Sequence, residues 1–461
     1  MPTLPSLYTN VEDLTDDLSE FITTPLVRQI TGGIHVNDAL IQDAWDSLPS
    51  EWTTYWDANP HQDHRIMQQD MIDSIDEDKS ASLDVPPRVS EARYSKPNSP
   101  PQSLHDWLNK LKSVSLPRAQ RHGPMLALPE ELTGPMKTKK INEVCVAAAY
   151  IHNVCSENNI THIVDMGSGQ GYLSVTLARL FPSLRILAID GSESQVAGSE
   201  AFAASVGVSD DRLKHIVRYI DGSMALIADI DAWAGGQNCM LIGLHACGSL
   251  SEHMLRYFIN CSSISHLAAV GCCYNHIVMR SESCPDGFPI SDRLRTRHVM
   301  LSPTALMTGC QAPNNWERLD LTKEKSNYSK KQFYRALLEK LLHDKQMNVG
   351  GQDRPNWGIR KGDLVSFEKF TRRAMHCLGL DQAKISNQDI LDYETRYANQ
   401  KHRIAILWTL SVLCCKAVES IISLDRYWFL MENAATKVDI VPIFEYRISP
   451  RNLMVVAAKQ N

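Results

Sequence analysis

The sequence predicts an α/β fold: a seven-stranded, Rossmann-like, mostly parallel sheet, preceded by a helical region and interrupted by a large helical insertion between strands five and six. Near-continuous apolar runs alternate with helical stretches between residues 160 and 272, as in a parallel sheet covered on both faces. The first run passes through Ile163-Val164-Asp165-Met166-Gly167-Ser168-Gly169-Gln170-Gly171-Tyr172-Leu173, an acid and a glycine-rich turn opening a helix. Two later apolar runs, 438–444 and 453–458, flank a short polar segment, which suits an antiparallel closing pair.

Residues 1–135 read as a mainly helical N-terminal region. Leu14, Leu18, Phe21 and Ile22 recur at helical spacing, Trp45, Trp52 and Trp56 supply an aromatic face, and Pro49-Ser50-Glu51 reads as a helix start capped by Ser50. Residues 76–101, with Asp76-Glu77-Asp78, Pro86-Pro87 and a Ser/Pro-rich end, read as a linker. A short helix at 104–115 is expected to pack near the catalytic unit.

The first part of the sheet domain is 136–275. An amphipathic helix covers 137–154. Strand one is 160–166, followed by helix 173–180. Strand two is 185–189, and its helix runs from about 194 to 206 with Gly207 as the stop. Strand three is 215–220, strand four 240–244 with helix 251–258 after it, and strand five 267–272. Residues 276–437 are the insertion, with helical parts at 301–307, 331–342, 364–375, 388–407 and 417–431. Residues 438–461 complete the sheet.

At 461 residues the chain is long enough for two or three units. Its twelve cysteines are scattered, several inside apolar runs, and five acids precede residue 21 with no basic n-region. We read a reducing compartment, cytoplasmic or nuclear, without a secretory leader. The apolar run 404–415 is only twelve residues long and is followed by Lys416 and Glu419, so a buried helix is expected and no membrane partner. Residues 1–135 hold 10 Lys/Arg against 21 Asp/Glu, whereas 276–438 hold 25 against 18. Either the two regions pack together, or the basic one faces an anion such as RNA.

The glycine turn points to a ligand lying against backbone. A dinucleotide turn places its third glycine five positions after the first; Gly167, Gly169 and Gly171 place it at four. Asp165 precedes the turn, and a carboxylate repels a pyrophosphate but attracts a cation. Twenty-three residues after Gly167, the second apolar run ends in Asp190, where an acid reaches a ribose diol. A cationic nucleoside without phosphate fits best: S-adenosyl-L-methionine, with its sulfonium and ammonium.

The segment resembles the class I methyltransferase pattern. Gly243-Leu244-His245-Ala246-Cys247-Gly248-Ser249-Leu250, followed by Val270-Gly271-Cys272-Cys273-Tyr274-Asn275, is similar to the methyltransferase-like protein 25 family, which has also carried a ribosomal RNA adenine dimethylase name. Pro135-Met136-Lys137-Thr138-Lys139-Lys140-Ile141-Asn142-Glu143-Val144 resembles that family's basic entry segment, and Pro442-Ile443-Phe444 with Ser449-Pro450-Arg451-Asn452-Leu453 resembles its C-terminal part. The resemblance covers roughly residues 120–461 and implies a methyltransferase.

In that setting Gly167, Gly169 and Gly171, with Ser168, Tyr172 and Leu173, are expected to meet the methionyl part. Asp165 would orient the ammonium, directly or through water. Asp190, with Gly191 and Ser192, would accept from the ribose, and Asp221-Gly222 would meet the adenine amino group. His245 and Ala246 leave strand four beside the ligand, and His245 is a candidate base. Cys247, Cys272, Cys273, Tyr274 and Asn275 are candidate substrate contacts, with Tyr274 as a stacking face and Asn275 as an orienting amide. The Asn/Asp-Pro-Pro-Tyr/Phe loop that holds an adenine amino group in many methyltransferases does not occur here.

No metal is expected. His245, Cys247, Cys272, Cys273 and His276 lie near strand ends, but no C-x-x-C pair exists, and adjacent Cys272 and Cys273 point to opposite sides if the strand continues. In the insertion, Arg293, Arg295 and Arg297, then Lys330, Lys331 and Arg335 with Tyr328, Phe333 and Tyr334, then Arg372 and Arg373, form basic groups suited to RNA or an acidic peptide. Because the insertion leaves from the end of strand five, it is expected over the cleft on the acceptor side. The acceptor is expected to be a macromolecule, protein ahead of RNA; a catalytically idle cofactor-binding scaffold is the alternative from another class.

Overall fold

The computed structural model describes residues 1–33, 35–58, 64–75, 99–121, 125–312, 327–347, 358–433 and 435–459. Its aliphatic runs form seven strands, and the first, second, fourth and fifth of them are buried on both faces over most of their length. They are β1 (His162–Met166), β2 (Arg185–Asp190), β3 (Leu213–Val217), β4 (Cys239–Ala246), β5 (Ile264–Gly271), β6 (Ala435–Pro442) and β7 (Leu453–Lys459). They make one seven-stranded sheet in the order β3-β2-β1-β4-β5-β7-β6. The first five strands are parallel, while β7 pairs antiparallel with both β5 and β6. The strand order reverses between β1 and β4, so the carboxyl ends of those two strands open the crevice where such sheets bind ligands.

One core face is built from the helix Thr138–Glu157, whose Val144, Ala147, Ala148 and Ile151 pack with Ile163, Ile186 and Met240. The helices Tyr172–Leu180, Glu193–Ser205 and Leu250–Asn260 follow their expected strands. A further helix, Met224–Ala234, lies where no helix is predicted. The edge strand β3 ends at Val217 rather than at residue 220, so Asp221 stands beyond the sheet. Strand β5 ends at Gly271, one residue before its expected end.

The chain divides into two compact units that do not follow boundaries at 135, 275 and 437. The first comprises Met1–Thr23, Val114–Cys310 and Lys416–Asn461; the second comprises Thr24–Ser113 and Gln311–Cys415. The N-terminal region is therefore split. The helix Val11–Thr23 buries Leu14, Leu18, Phe21 and Ile22 in the first unit, where Trp428 Nε1 donates to Thr15 Oγ1 at 2.9 Å. Val114 onward is tied to the same unit, with Leu116 N donating to Ser420 Oγ at 2.9 Å.

In the second unit, Trp52 packs edge-on against Trp56 and Trp107. The expected helix at 104–115 is Gln102–Ser113 and belongs to this unit. Ser50 is the first residue of its helix and Pro49 the cap, without a side-chain bond. Most of the expected linker, 76–98, lies outside the described residues. The expected single helix at 388–407 is broken into Asn387–Arg396, a 3-10 turn at Ala398–Gln400, and Lys401–Leu413. Among the described residues one stretch, Ala398–Glu432, is long and apolar enough to cross a membrane, and 83% of its apolar window is buried in protein.

Candidate functional site

The turn after β1 is a backbone cradle. Gly167, Gly169 and Gly171 all have positive φ, at 70°, 55° and 69°, a region L side chains enter at a cost. Gly167 N and Ser168 N donate to Ile189 O at 2.8 and 3.2 Å. Asp190 closes the arrangement: its Oδ2 accepts from Gly169 N and its Oδ1 from Ser192 N, both at 2.9 Å. Each oxygen retains a second acceptor position. A Cβ on Gly169 would meet nothing nearer than Gln195 Oε1 at 3.8 Å, whereas one on Gly171 would strike Ser199 Oγ at 1.8 Å. Gly169 thus has room for a Cβ in ordinary contact, whereas Gly171 lets two helices touch.

Asp165 is buried at the end of β1 and accepts from Ser174 Oγ. Burial lifts its carboxyl to about 6, with nearby Asp190 adding to the rise. Leu173 packs its side chain into the hydrophobic core. Tyr172 donates to Pro135 O at 3.2 Å and packs edge-on against Phe202. Gly191 forms the bend after β2, close to Tyr219. Asp221 is exposed and caps its own turn, accepting from Ser223 N at 2.9 Å. Gly222, at φ 83°, packs on His253.

The end of β4 is shaped by side chains. Its register with β5 shifts between Leu244 and Ala246, so His245 sits at a bulge with φ 64°, a device that re-aims a side chain. His245 Nε2 lies 2.9 Å from Glu143 Oε2, Ser449 Oγ donates to Glu143 Oε1 at 2.7 Å, and Lys140 Nζ stands 3.0 Å from the same carboxylate. Burial raises the Glu143 carboxyl, but the bonds and charges of His245 and Lys140, with Ser449, outweigh it and hold the group down to about 2. Ala246 is buried beside this dyad. Glu143 and Ser449 are absent from the residues expected by sequence, although both lie in the segments that carry the family resemblance.

One residue further on, Cys247 Sγ lies 3.1 Å from Cys272 Sγ and 3.4 Å from Cys273 Sγ. The expectation that Cys272 and Cys273 diverge fails because β5 stops at Gly271, which frees both from pleat alternation. The Cys272 thiol beside Cys247 pulls the Cys247 thiol below its ordinary value; burial opposes this, and Cys273 and His245 add to it. His276 is exposed, and its ring does not join the three sulfurs.

Tyr274 corrects a second expectation. It is 2% exposed, its hydroxyl donates to Glu419 Oε1 at 2.8 Å, and Arg426 and Arg451 lie over its ring. It is a core strut, with neither a ring face nor a hydroxyl open to a substrate. Glu419 also binds Arg118 and Arg451 at 2.7 and 3.0 Å, all of it buried. Asn275 is exposed, with Oδ1 accepting from Cys310 Sγ at 3.3 Å.

Residues 137–280 match the family model described as a methyltransferase domain. The probable methyltransferase-like protein 25 of Mus musculus is 27% identical over 242 residues, covering 49% of this chain and 38% of that protein. Its Homo sapiens counterpart is 28% identical over 241 residues, covering 49% of this chain and 37% of that protein. The chain thus spans well under half the length of these curated relatives. Among solved structures, the magnesium protoporphyrin IX methyltransferase of Synechocystis PCC 6803 with bound SAH shares 14% identity at a TM-score of 0.24, over 31% of this chain and 64% of that one. Coclaurine N-methyltransferase, bound to N-methylheliamine and SAH, shares 11% at 0.26, over 92% and 98%. Scores at that level have no bearing on the site. Residues 137–280 thus carry a methyltransferase domain, and the chain is a homologue of the methyltransferase-like protein 25 proteins.

Proposed function

We propose that this chain transfers a methyl group from S-adenosyl-L-methionine to a macromolecular acceptor, a protein. One observation carries the cofactor half: a side-chain-free cradle at the switch point, bound through Gly169 N to the carboxylate that ends β2. The residues present fit the group. Gly169 leaves its backbone uncrowded for a ligand's approach, a Cβ there meeting only Gln195 Oε1 at 3.8 Å, Asp190 keeps acceptor positions for ribose hydroxyls, and Asp165 is a buried carboxylate that a nearby cation relieves. When bound, the cofactor supplies a methyl group on a sulfonium, and the chain has to hold the acceptor in line and dry. Glu143 fixes the His245 ring; a proton on Nε2 shared with that carboxylate leaves Nδ1 to take one from an acceptor. Asn275 offers an amide to orient the acceptor.

Protein is favoured over RNA by how the basic groups are engaged. Arg293 and Arg297 pair with Asp16 at 2.6 and 2.5 Å. Arg372 donates to the carbonyls of Gln382 and Ile385. Phe333 and Tyr334 are buried in a core rather than presented to bases. The test supplies labelled cofactor and the chain to protein and RNA fractions from cells lacking this gene. Label is expected in the protein fraction, and absent when Asp190→Ala enzyme is used. Label confined to RNA overturns the acceptor assignment, and label in neither fraction favours the idle scaffold.

A further inference from the structure

We propose that Cys247, Cys272 and Cys273 form a three-thiolate zinc site whose fourth position is open. The backbone brings them together. Ala246 pairs with Gly271 across the parallel strands β4 and β5, so the next residue on each strand, Cys247 and Cys272, emerges side by side. The end of β5 then lets Cys273 turn to the same side. Gly248 N donates to Cys273 O at 3.1 Å and pins the two loops. Gly248 has φ 54°, and a Cβ there would lie 2.5 Å from His276 O, so only glycine allows the approach. The pocket is built by the fold and is no chance meeting of surface thiols.

The sulfurs form a triangle with sides of 3.1, 3.4 and 3.6 Å. A point about 1.2 Å off its plane lies about 2.3 Å from all three, the zinc–thiolate distance. Thiolates select soft or borderline ions over magnesium or calcium. The exposed Cys247 gives solvent a path in, while buried Cys272 and half-buried Cys273 anchor the other side. Among the described residues, no further His, Cys, Asp or Glu atom joins the group. Three protein ligands and a vacant fourth position are the pattern of a zinc that exchanges ligands, not of a closed structural knot. The fourth ligand is a water or a soft donor atom brought by the acceptor, two residues along the chain from His245.

The test titrates Co2+ into the full chain, stripped of metal and kept reduced. One equivalent is expected to produce a thiolate-to-cobalt charge-transfer band with tetrahedral-strength visible bands, and one equivalent of Zn2+ to abolish them. Cys247→Ser, at an exposed position, should lose the band while keeping the wild-type circular dichroism spectrum. Cys284→Ser, a half-buried cysteine outside the trio, should keep it. If Cys247→Ser misfolds, Cys273→Ser takes its place with the same expectation. A reduced wild-type chain that shows no charge-transfer band overturns the site, as does a folded trio variant that binds cobalt like wild type.

Discussion

At the ends of β1 and β2 the site is made of backbone, whereas at the ends of β4 and β5 it is made of side chains. The first region holds its shape through three positive-φ glycines and one carboxylate that accepts two amide hydrogens. The second rests on groups far apart in sequence: Glu143 with His245 and Ser449, and Cys247 with the Cys272-Cys273 pair. A backbone cradle tolerates any flanking side chains but no Cβ at a close approach. A side-chain cluster tolerates backbone variation but no missing partner. The two regions should therefore fail differently when altered.

The largest effect is expected at Glu143. Replacing it by Ala leaves His245, Ser449 and Lys140 facing a buried gap and should cost about 3 kcal/mol in urea unfolding. Because its carboxyl is held down to about 2 from 4.5, its contribution is fully present above pH 4.5 and is lost as pH falls toward 2. Wild type should lose stability through that window, and Glu143→Gln should lose less there. A Glu143→Ala chain with wild-type stability and acid response would place the dyad outside the folding core.

Within the cradle, Gly171→Ala should cost about 2–3 kcal/mol, since its Cβ collides with Ser199 and its φ is left-handed. Gly169→Ala should cost about 1–2 kcal/mol, the backbone term alone, and should weaken cofactor binding more than Gly171→Ala weakens it per unit of stability lost. Thermal melts paired with calorimetry separate the two; equal melts would erase the distinction between packing and approach glycines.

Asp165→Asn is expected to move stability the other way. A carboxyl raised from 3.8 to about 6 favours the folded state below pH 3.8 and loses that advantage as pH rises to about 6. At pH 7.5 the ligand-free Asn variant should be up to about 3 kcal/mol more stable, yet bind S-adenosyl-L-methionine less tightly. The smallest effect belongs to Tyr274→Phe. Glu419 keeps Arg118 and Arg451, so about 1 kcal/mol of stability is lost and cofactor affinity stays unchanged. A Tyr274→Phe enzyme with a collapsed methyl-transfer rate at normal stability would return that residue to catalysis.

The same contrast explains what could be read in the sequence. The cradle was legible because its signals are local: an apolar run, alternating glycines, and an acid at the end of the next strand. The sheet followed from the same alternation. The helix Met224–Ala234 escaped because its residues are apolar almost all round, which hides the period that buries Leu226, Ile227 and Ile230. Glu143 escaped because its partners are 102 and 306 positions away. The thiol trio turned on whether β5 ended at residue 271 or 272, and a one-residue error in a strand end inverts where a side chain points. The second unit joins two stretches separated by the 197 residues of Val114–Cys310; the contrast between the acidic N-terminal region and the basic insertion hints at that pairing but does not mark its bounds.

Calorimetric titration of S-adenosyl-L-methionine into the full chain and into Asp190→Ala is the most direct test of the cradle. We expect one site in wild type and a loss of about ten- to a hundredfold in affinity in the variant, the effect of removing a charged acceptor from ribose and loop alike. Undiminished binding by the variant, or a wild-type preference for a pyrophosphate-bearing cofactor, would contradict the assignment of this site.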